Sequence, residues 1–242
     1  MKALLLCAGY GTRLYPLTIN TPKALLEVKG KKLIDYLVDS IEKIDEIDEI
    51  IIVSNDRFYN NFIEWGTNRK KKKPITVLND FTTSNDNRLG AIGDIKYAID
   101  QLGIDDELLV AGSDMYFTFE MKEFYDYYKE KGADVVSGEF TEDKEILKRK
   151  GVAVLDENYK ILEIEEKSQN PKGNFILTVY YIYTKESVRE IAKYLEEGNS
   201  PDAPGNYPAW LCKHKDVYAQ PISGECIDIG TIDDYNYLNG LK

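Results

Sequence analysis

Between Leu4 and Lys23 the chain reads LLLCAGYGTRLYPLTINTPK, a short apolar run that breaks at Gly9 and Gly11 and continues through Thr12 and Arg13 to Lys23. Glycines let backbone amides approach an anion closely, and Arg13 and Lys23 add fixed positive charge. The segment therefore suits a polyphosphate, with a nucleoside triphosphate as its natural occupant. Two better-known phosphate loops are excluded. The dinucleotide fingerprint needs a third glycine and a helix where this chain has Leu14, Pro16 and Pro22. A P-loop needs Gly-Lys-Ser or Gly-Lys-Thr running into a helix, and the sequence contains neither. The loop is expected to stay extended over its ligand.

Two carboxylates complement it. Asp114, in GSDMYF, and Asp228, in IDIGT, each follow a buried strand-like run. Such a pair can hold Mg²⁺ through oxygen ligands, with nucleotide phosphates completing the octahedron. Asp114 precedes an apolar tripeptide, which is not a helix-capping context, and Thr231 is placed to cap the last helix, which leaves Asp228 free. A third pair is Glu166-Lys167. Both can face one ligand only if their strand ends there, as Asn170 and Pro171 indicate, with Lys167 neutralising a phosphate and Glu166 accepting from hydroxyls. The single histidine, His214, in CKHKD, reads as a surface residue.

Charge and composition narrow the partners. Lys plus Arg total 31 against 42 Asp plus Glu, a net charge of −11, which disfavours a nucleic acid partner but not a small anion held by local cations. The basic run at 69–73 reads as a solvated loop. Cys7, Cys212 and Cys226 are odd in number and lack metal spacing, so they are expected to be reduced. No apolar run approaches membrane-span length, so a cytoplasmic protein without a membrane partner is expected.

The elements that must carry these residues alternate. Strand-like runs at 2–7, 50–54, 75–78 and 108–111 are interleaved with helical patterns at 33–44, 58–65 and 90–102, the order of an α/β, doubly wound, mostly parallel sheet flanked by helices. Beyond Met115 come a helix at 121–131 and strands near 135–140, 152–155, 161–165 and 175–183. A helix at 186–196, a loop at 198–208 and a closing helix–strand–helix follow. With 242 residues, 43% of them hydrophobic, one large domain is expected, without repeats. In such sheets ligands gather at the strands' carboxyl ends, where the glycine loop, Asp114 and Asp228 all fall.

Taken in order, GYGTRLYPLTINTPKALL, GSDMYF, GVAVLDENYKILEIEEKS and IDIGT resemble the sugar-1-phosphate nucleotidyltransferases. The resemblance implies condensation of an NTP, dTTP or UTP first, with a sugar 1-phosphate such as glucose 1-phosphate to give an NDP-sugar and pyrophosphate. It implies a Rossmann-like core with Mg²⁺ and a sugar-binding β-rich insertion, residues 1–117 mainly holding the nucleotide and 118–242 the sugar phosphate. By position, Ala8 and Gly9 would line base and ribose, Gly11, Thr12 and Arg13 the triphosphate, and Lys23 would bridge phosphates at the reacting phosphorus. Asp114 and Asp228 would bind the metal, Glu166 and Lys167 would face the sugar and its phosphate, and Gly151 would pack against the sugar. Arg13, Lys23 and Asp114 form the implied catalytic set. The base-reading segment, 79–94, departs from the family, with Arg88, a further nucleotide-binding candidate, at a usual glycine, so the base stays open. A cytidylyltransferase acting on phosphocholine, which would favour an aromatic cage from Tyr180, Tyr181 and Tyr183, and an inactive sugar-nucleotide-binding subunit are the alternatives. Homo-oligomerisation is left open.

Overall fold

Alternation along the first strand decides the architecture. In the computed structural model, which describes residues 1–70 and 72–241, Ala3, Leu5 and Cys7 pack into one core cluster and Leu4 into another on the opposite face. The same split recurs at Ile50 and Ile52 against Ile51 and Val53, and at Leu109 and Ala111 against Leu108 and Val110. A strand buried on both faces needs helices on both, which is why these runs are continuously apolar.

The first half runs β1 (Lys2–Leu6), the small hairpin β2 (Glu27–Val28) and β3 (Lys31–Lys32), α1 (Leu33–Ile41), β4 (Glu49–Ser54) and α2 (Tyr59–Asn68). Then come β5 (Ile75–Asn79), α3 (Ala91–Leu102), β6 (Leu108–Gly112), β7 (Met115–Phe117) and α4 (Met121–Lys131). The second half is β8 (Asp134–Phe140), α5 (Lys144–Leu147), β9 (Gly151–Leu155), β10 (Ile161–Glu166) and β11 (Phe175–Tyr183). It closes with α6 (Lys185–Glu196), α7 (Asn206–Leu211), β12 (Val217–Pro221), β13 (Cys226–Asp228) and α8 (Ile232–Asn239). Helices α1, α2 and α4 cover one face of the sheet, and α3, α6 and α7 the other.

The nine-stranded sheet is mostly parallel, as the alternation predicts. β5, β4, β1 and β6 are mutually parallel; β11 lies antiparallel to β6, and β8 antiparallel to β11 with β12 parallel beside it. β11 is the hinge of the topology. Its carboxyl-terminal half pairs β6 through Tyr180–Tyr183, while Phe175 and Ile176 pair Ala153 and Val152 of the β9–β10 hairpin. Its register with β8 shifts between Leu177 and Tyr181, freeing that stretch from regular pairing.

Helix α1 stops at Ile41, short of the 44 expected, because Lys43 and Ile44 turn back through i→i−3 bonds to Ser40 and Ile41. Ile44 nonetheless stays fully buried, so its place in the apolar spacing came from the core rather than the helix. Of the basic run at 69–73, Lys71 lies outside the described residues. Arg69 is not solvated: its guanidinium bonds Asp35, Asp39 and Glu42 under α1.

A buried acid pair braces the loops at the strand ends. Asp80, just after β5, accepts from Thr82 N, and Tyr10 of the glycine loop donates to Thr82 Oγ1. Asp80 and Asp94, in the first turn of α3, are both nearly inaccessible, and each keeps one carboxyl oxygen without a partner. Burial, and then the neighbouring Asp80 charge, push the Asp94 carboxyl up to about 8. An unfolded aspartate titrates near about 4, so between about 4 and 8 the folded chain holds the extra proton, and stability falls as pH rises through that window. Asp94→Asn, a neutral isostere, is expected to raise the melting temperature at pH 8, to change it little near pH 4, and to flatten the pH profile between them. Parallel profiles for the two proteins would refute the protonated pair.

Candidate active site

The glycine loop leaves β1 at Leu6 and is held at three points. Ser113 Oγ donates to Leu6 O at 2.7 Å, the buried Asn55 amide donates to Ala8 O at 2.8 Å, and Thr18 Oγ1 donates to Gly11 O at 2.7 Å. Gly11 has φ +60° and caps the single 3₁₀ turn Thr12–Leu14, and a Cβ there would sit 3.2 Å from Thr18 Cγ2. A larger residue would carry both strain and crowding. Leu14, 1% exposed, packs with Tyr116 and Ile229, so an apolar anchor fixes the side chain next to Arg13.

Asp114 and Asp228 meet through a feature that sequence reasoning did not find. β7 and β13 form a separate two-stranded antiparallel ribbon in which Asp228 lies opposite Met115. Segments more than a hundred residues apart thus bring both carboxylates to Lys23, whose Nζ is 3.1 Å from Asp114 Oδ2 and 3.2 Å from Asp228 Oδ1. The Lys23 side chain is 12% exposed, whereas Asp114 and Asp228 are 46% and 36% exposed, so the acids open to solvent and the ammonium lies beneath them. Thr231 caps α8 as expected, exchanging bonds with Asp234.

Two cavities flank this cluster. One, about 370 Å³, is lined by Gly9, Gly11, Thr12, Arg13, Lys23 and Ala91 among others. The second, about 430 Å³, is lined by Lys150, Gly151, Glu166, Lys167 and Tyr181 among others. Arg13, Asp114, Val179 and Pro204 line both, so they adjoin at Arg13 and Asp114, while Asp228 lines the second alone. A larger cavity, about 590 Å³, lies between the β2–β3 hairpin and α2 and shares no lining residue with either.

On the second cavity's wall β10 ends at Glu166, and Lys167 turns the chain with φ +50°. That left-handed residue lets consecutive side chains address one space, the condition the sequence set for the pair. A Cβ on Gly151 would be 2.8 Å from Glu166 Oε2, so a larger residue there would displace the Glu166 carboxylate from its place.

Some candidates stand elsewhere. Ala8 lines neither cavity, its carbonyl being taken by Asn55. Arg88 also lines neither: it forms a two-point ion pair with Asp202 at 2.9 and 3.0 Å. The adjoining carbonyls of Pro201 and Asp202 accept from Ile92 and Ala91, so the N-terminus of α3 is capped by protein rather than open to phosphate. Arg88 thus secures the 198–205 loop that carries Pro204 to both cavities. Residues missed in the sequence are Arg149 and Lys150, whose only local signal is the KRKG run before Gly151, and Val179 and Pro204, which had none.

Cysteine chemistry has no support here, because burial pushes the Cys7 and Cys226 thiols up to about 12. His214 rests on Trp210 at 4.6 Å between ring centroids, away from both cavities. Tyr180 and Tyr183 are core residues, and Tyr181 is the one aromatic ring lining the second cavity.

Among the described residues no group of three or more His, Cys, Asp or Glu could enclose a metal. Two open carboxylates sharing one cation point instead match a hard ion that keeps several positions for phosphate and water. Mg²⁺ is commonly bound in that way. Mixed sheet, glycine loop, carboxylate pair and adjoining cavities together define an α/β protein with a cleft of two joined cavities at the carboxyl ends of its central strands.

A sequence model described as Nucleotidyl transferase matches residues 2–240, and the chain belongs to that family. It is 28% identical over 243 residues, 99% of its length, to a protein of Sulfolobus acidocaldarius assigned as a mannose-1-phosphate guanyltransferase. It is 30% identical over 206 residues, 80% of its length, to the bifunctional protein GlmU of Methanocaldococcus jannaschii. The chain spans 62% and 42% of those relatives' lengths. A solved structure from Bacillus anthracis, assigned as a glucose-1-phosphate thymidylyltransferase in complex with a sucrose, superposes with TM-score 0.81 at 25% identity, covering 99% of this chain and 94% of that one. Among the described residues no helix is long and apolar enough to cross a membrane.

Proposed function

We propose that the chain transfers a nucleotidyl group from an NTP to a sugar 1-phosphate, giving an NDP-sugar and pyrophosphate. The observation that carries this reading is the junction of the two cavities at Arg13 and Asp114, with Lys23 bridging Asp114 and Asp228. The triphosphate would lie over Gly9, Gly11, Thr12 and Arg13, mainly on residues 1–117. The sugar phosphate would lie among Gly151, Glu166 and Lys167, mainly on residues 118–242. An acceptor phosphate oxygen, ionised at pH 7, attacks the α-phosphorus; the new P–O bond forms as the α–β bridge breaks and pyrophosphate leaves with the electron pair. No general base is required, so the residues act by alignment and by neutralising charge. Arg13 and Lys23 would meet the developing charge, and Glu166 would orient the sugar through its hydroxyls. Asp114 and Asp228 would hold Mg²⁺, which supplies further charge neutralisation to the phosphates. Ala8 and Arg88 would act through the loops they secure rather than by touching the nucleotide.

The single aromatic ring in the second cavity favours a hydroxyl-bearing acceptor over a quaternary ammonium, which binds best within several rings. The test is a matrix of dTTP, UTP, GTP, CTP and ATP against a panel of sugar 1-phosphates plus phosphocholine, read by pyrophosphate release with Mg²⁺. Release is expected with at least one sugar 1-phosphate, dTTP and UTP being the first nucleotides to try. Release with phosphocholine alone would replace the acceptor, and silence throughout would return the chain to the binding-subunit alternative.

A further inference from the structure

The Asp228 carboxylate is held by two lysines from different parts of the chain. Oδ1 is 3.2 Å from Lys23 Nζ, and Oδ2 is 3.6 Å from Lys150 Nζ. Lys150 sits just before β9, lines the acceptor cavity, and is 39% exposed. Its separation from Asp228 is longer than a good hydrogen bond, and its exposure keeps the pair weakly held. Lys150 therefore contributes little to folding through this contact. Its backbone carbonyl, which accepts from Lys167 N at 3.1 Å, is the part that supports the turn.

The charge count gives the side chain its role. Asp114 and Asp228 are balanced by Lys23 and Lys150, two negative charges against two positive. A divalent cation on the carboxylates supplies the same two positive charges, and both ammonium groups then lose these partners, Lys150 keeping only the weaker pull of nearby Glu139. Lys23 lines the nucleotide cavity and Lys150 the acceptor cavity, so each freed ammonium faces the space where one substrate's phosphate would lie. We propose that Lys150 is a resident counter-ion of Asp228 that passes to the acceptor's phosphate when the metal takes the carboxylate. This deepens the nucleotidyl-transfer reading and rests on it. The consequence is that metal and acceptor reinforce each other's binding, since each removes the other's competitor.

The experiment compares wild type, Lys150→Gln and Lys150→Arg in two measurements. Mn²⁺ binding without substrates is followed by the electron paramagnetic resonance signal of the free ion. Lys150→Gln removes a competing cation, so Mn²⁺ is expected to bind about three- to tenfold tighter. Turnover is then measured with the best pair from the substrate matrix. The acceptor KM of Lys150→Gln is expected to rise about 10- to 100-fold, the loss of one charge-assisted hydrogen bond, with the NTP KM nearly unchanged. Lys150→Arg is expected to restore most of the acceptor affinity. A purely structural lysine would move both measurements in the unfavourable direction, or neither. Unchanged or weaker Mn²⁺ binding in Lys150→Gln overturns the exchange, as does an unchanged acceptor KM. If wild type turns over no pair, the proposed reaction falls, while the Mn²⁺ comparison still decides whether Lys150 competes for Asp228.

Discussion

Asp228→Asn is expected to cut pyrophosphate release about 10³-fold, because a metal ion on phosphoryl oxygens supplies several kcal/mol of transition-state stabilisation and each 1.36 kcal/mol is worth tenfold in rate. Asp114→Asn should do the same, since both carboxylates reach the one cation point now held by Lys23 Nζ. The losses should appear in single-turnover experiments with saturating substrates. Nucleotide affinity measured without metal should be unchanged or slightly improved, since each substitution removes a negative charge beside a polyanion. The fold should tolerate the changes: both acids are substantially exposed, and exposed pairs contribute about 0–1 kcal/mol. Rates near wild type in both variants would end the metal assignment. A large loss in one alone would mean that a single carboxylate suffices.

Arg13→Ala is expected to lower kcat about 10²- to 10³-fold, the range found when one preorganised donor to a developing charge is removed. The argument rests on what Arg13 does not do. It lines both cavities, and among the described residues it makes no ion pair within 4.0 Å, so its charge is uncommitted in the folded chain. Removing it should leave the melting temperature within about a degree, as for most surface substitutions. The paired outcome, slow turnover at full stability, separates charge stabilisation from a structural defect. Arg13→Lys should recover part of the rate, because a point charge replaces the fork without its geometry. A rate within twofold of wild type would assign the phosphate to Lys23 and the glycine loop alone.

How much of this could be read beforehand followed the range of the interactions involved. The parallel half was legible because strands buried on both faces write continuous apolar runs, as at Ile50–Val53. The glycine loop and Glu166-Lys167 were legible because their chemistry is local. What escaped was non-local. Three-residue strands such as β7 and β13 carry too little pattern to announce their pairing, yet that ribbon is what brings Asp228 to Asp114. Lys150 looked like one more charge in KRKG, and only its distance to Asp228 distinguishes it. Arg88 was drawn toward the base by sequence position, whereas Asp202, 114 residues further on, takes its guanidinium. What the structure adds is a seam between segment 79–94 and the 198–205 loop, closed by that ion pair and by the bonds from Ala91 and Ile92 to Asp202 and Pro201.

The attachment of the β9–β10 hairpin bears on how the protein could be retooled. Gly151, Glu166 and Lys167 all ride on that hairpin, which joins β11 through two residue pairs, meets β12 at the Lys160–Tyr218 bridge and buries Val152, Ala153 and Ile161, whereas the glycine loop and Asp114 grow from strands in the middle of the sheet. A hairpin at the margin of the sheet can be lengthened or recoloured at its exposed positions, with its buried face kept, without disturbing the strands that carry the glycine loop and Asp114. Grafting a relative's hairpin with Val152, Ala153 and Ile161 retained is thus the economical route by which the proposed reaction would gain a new acceptor.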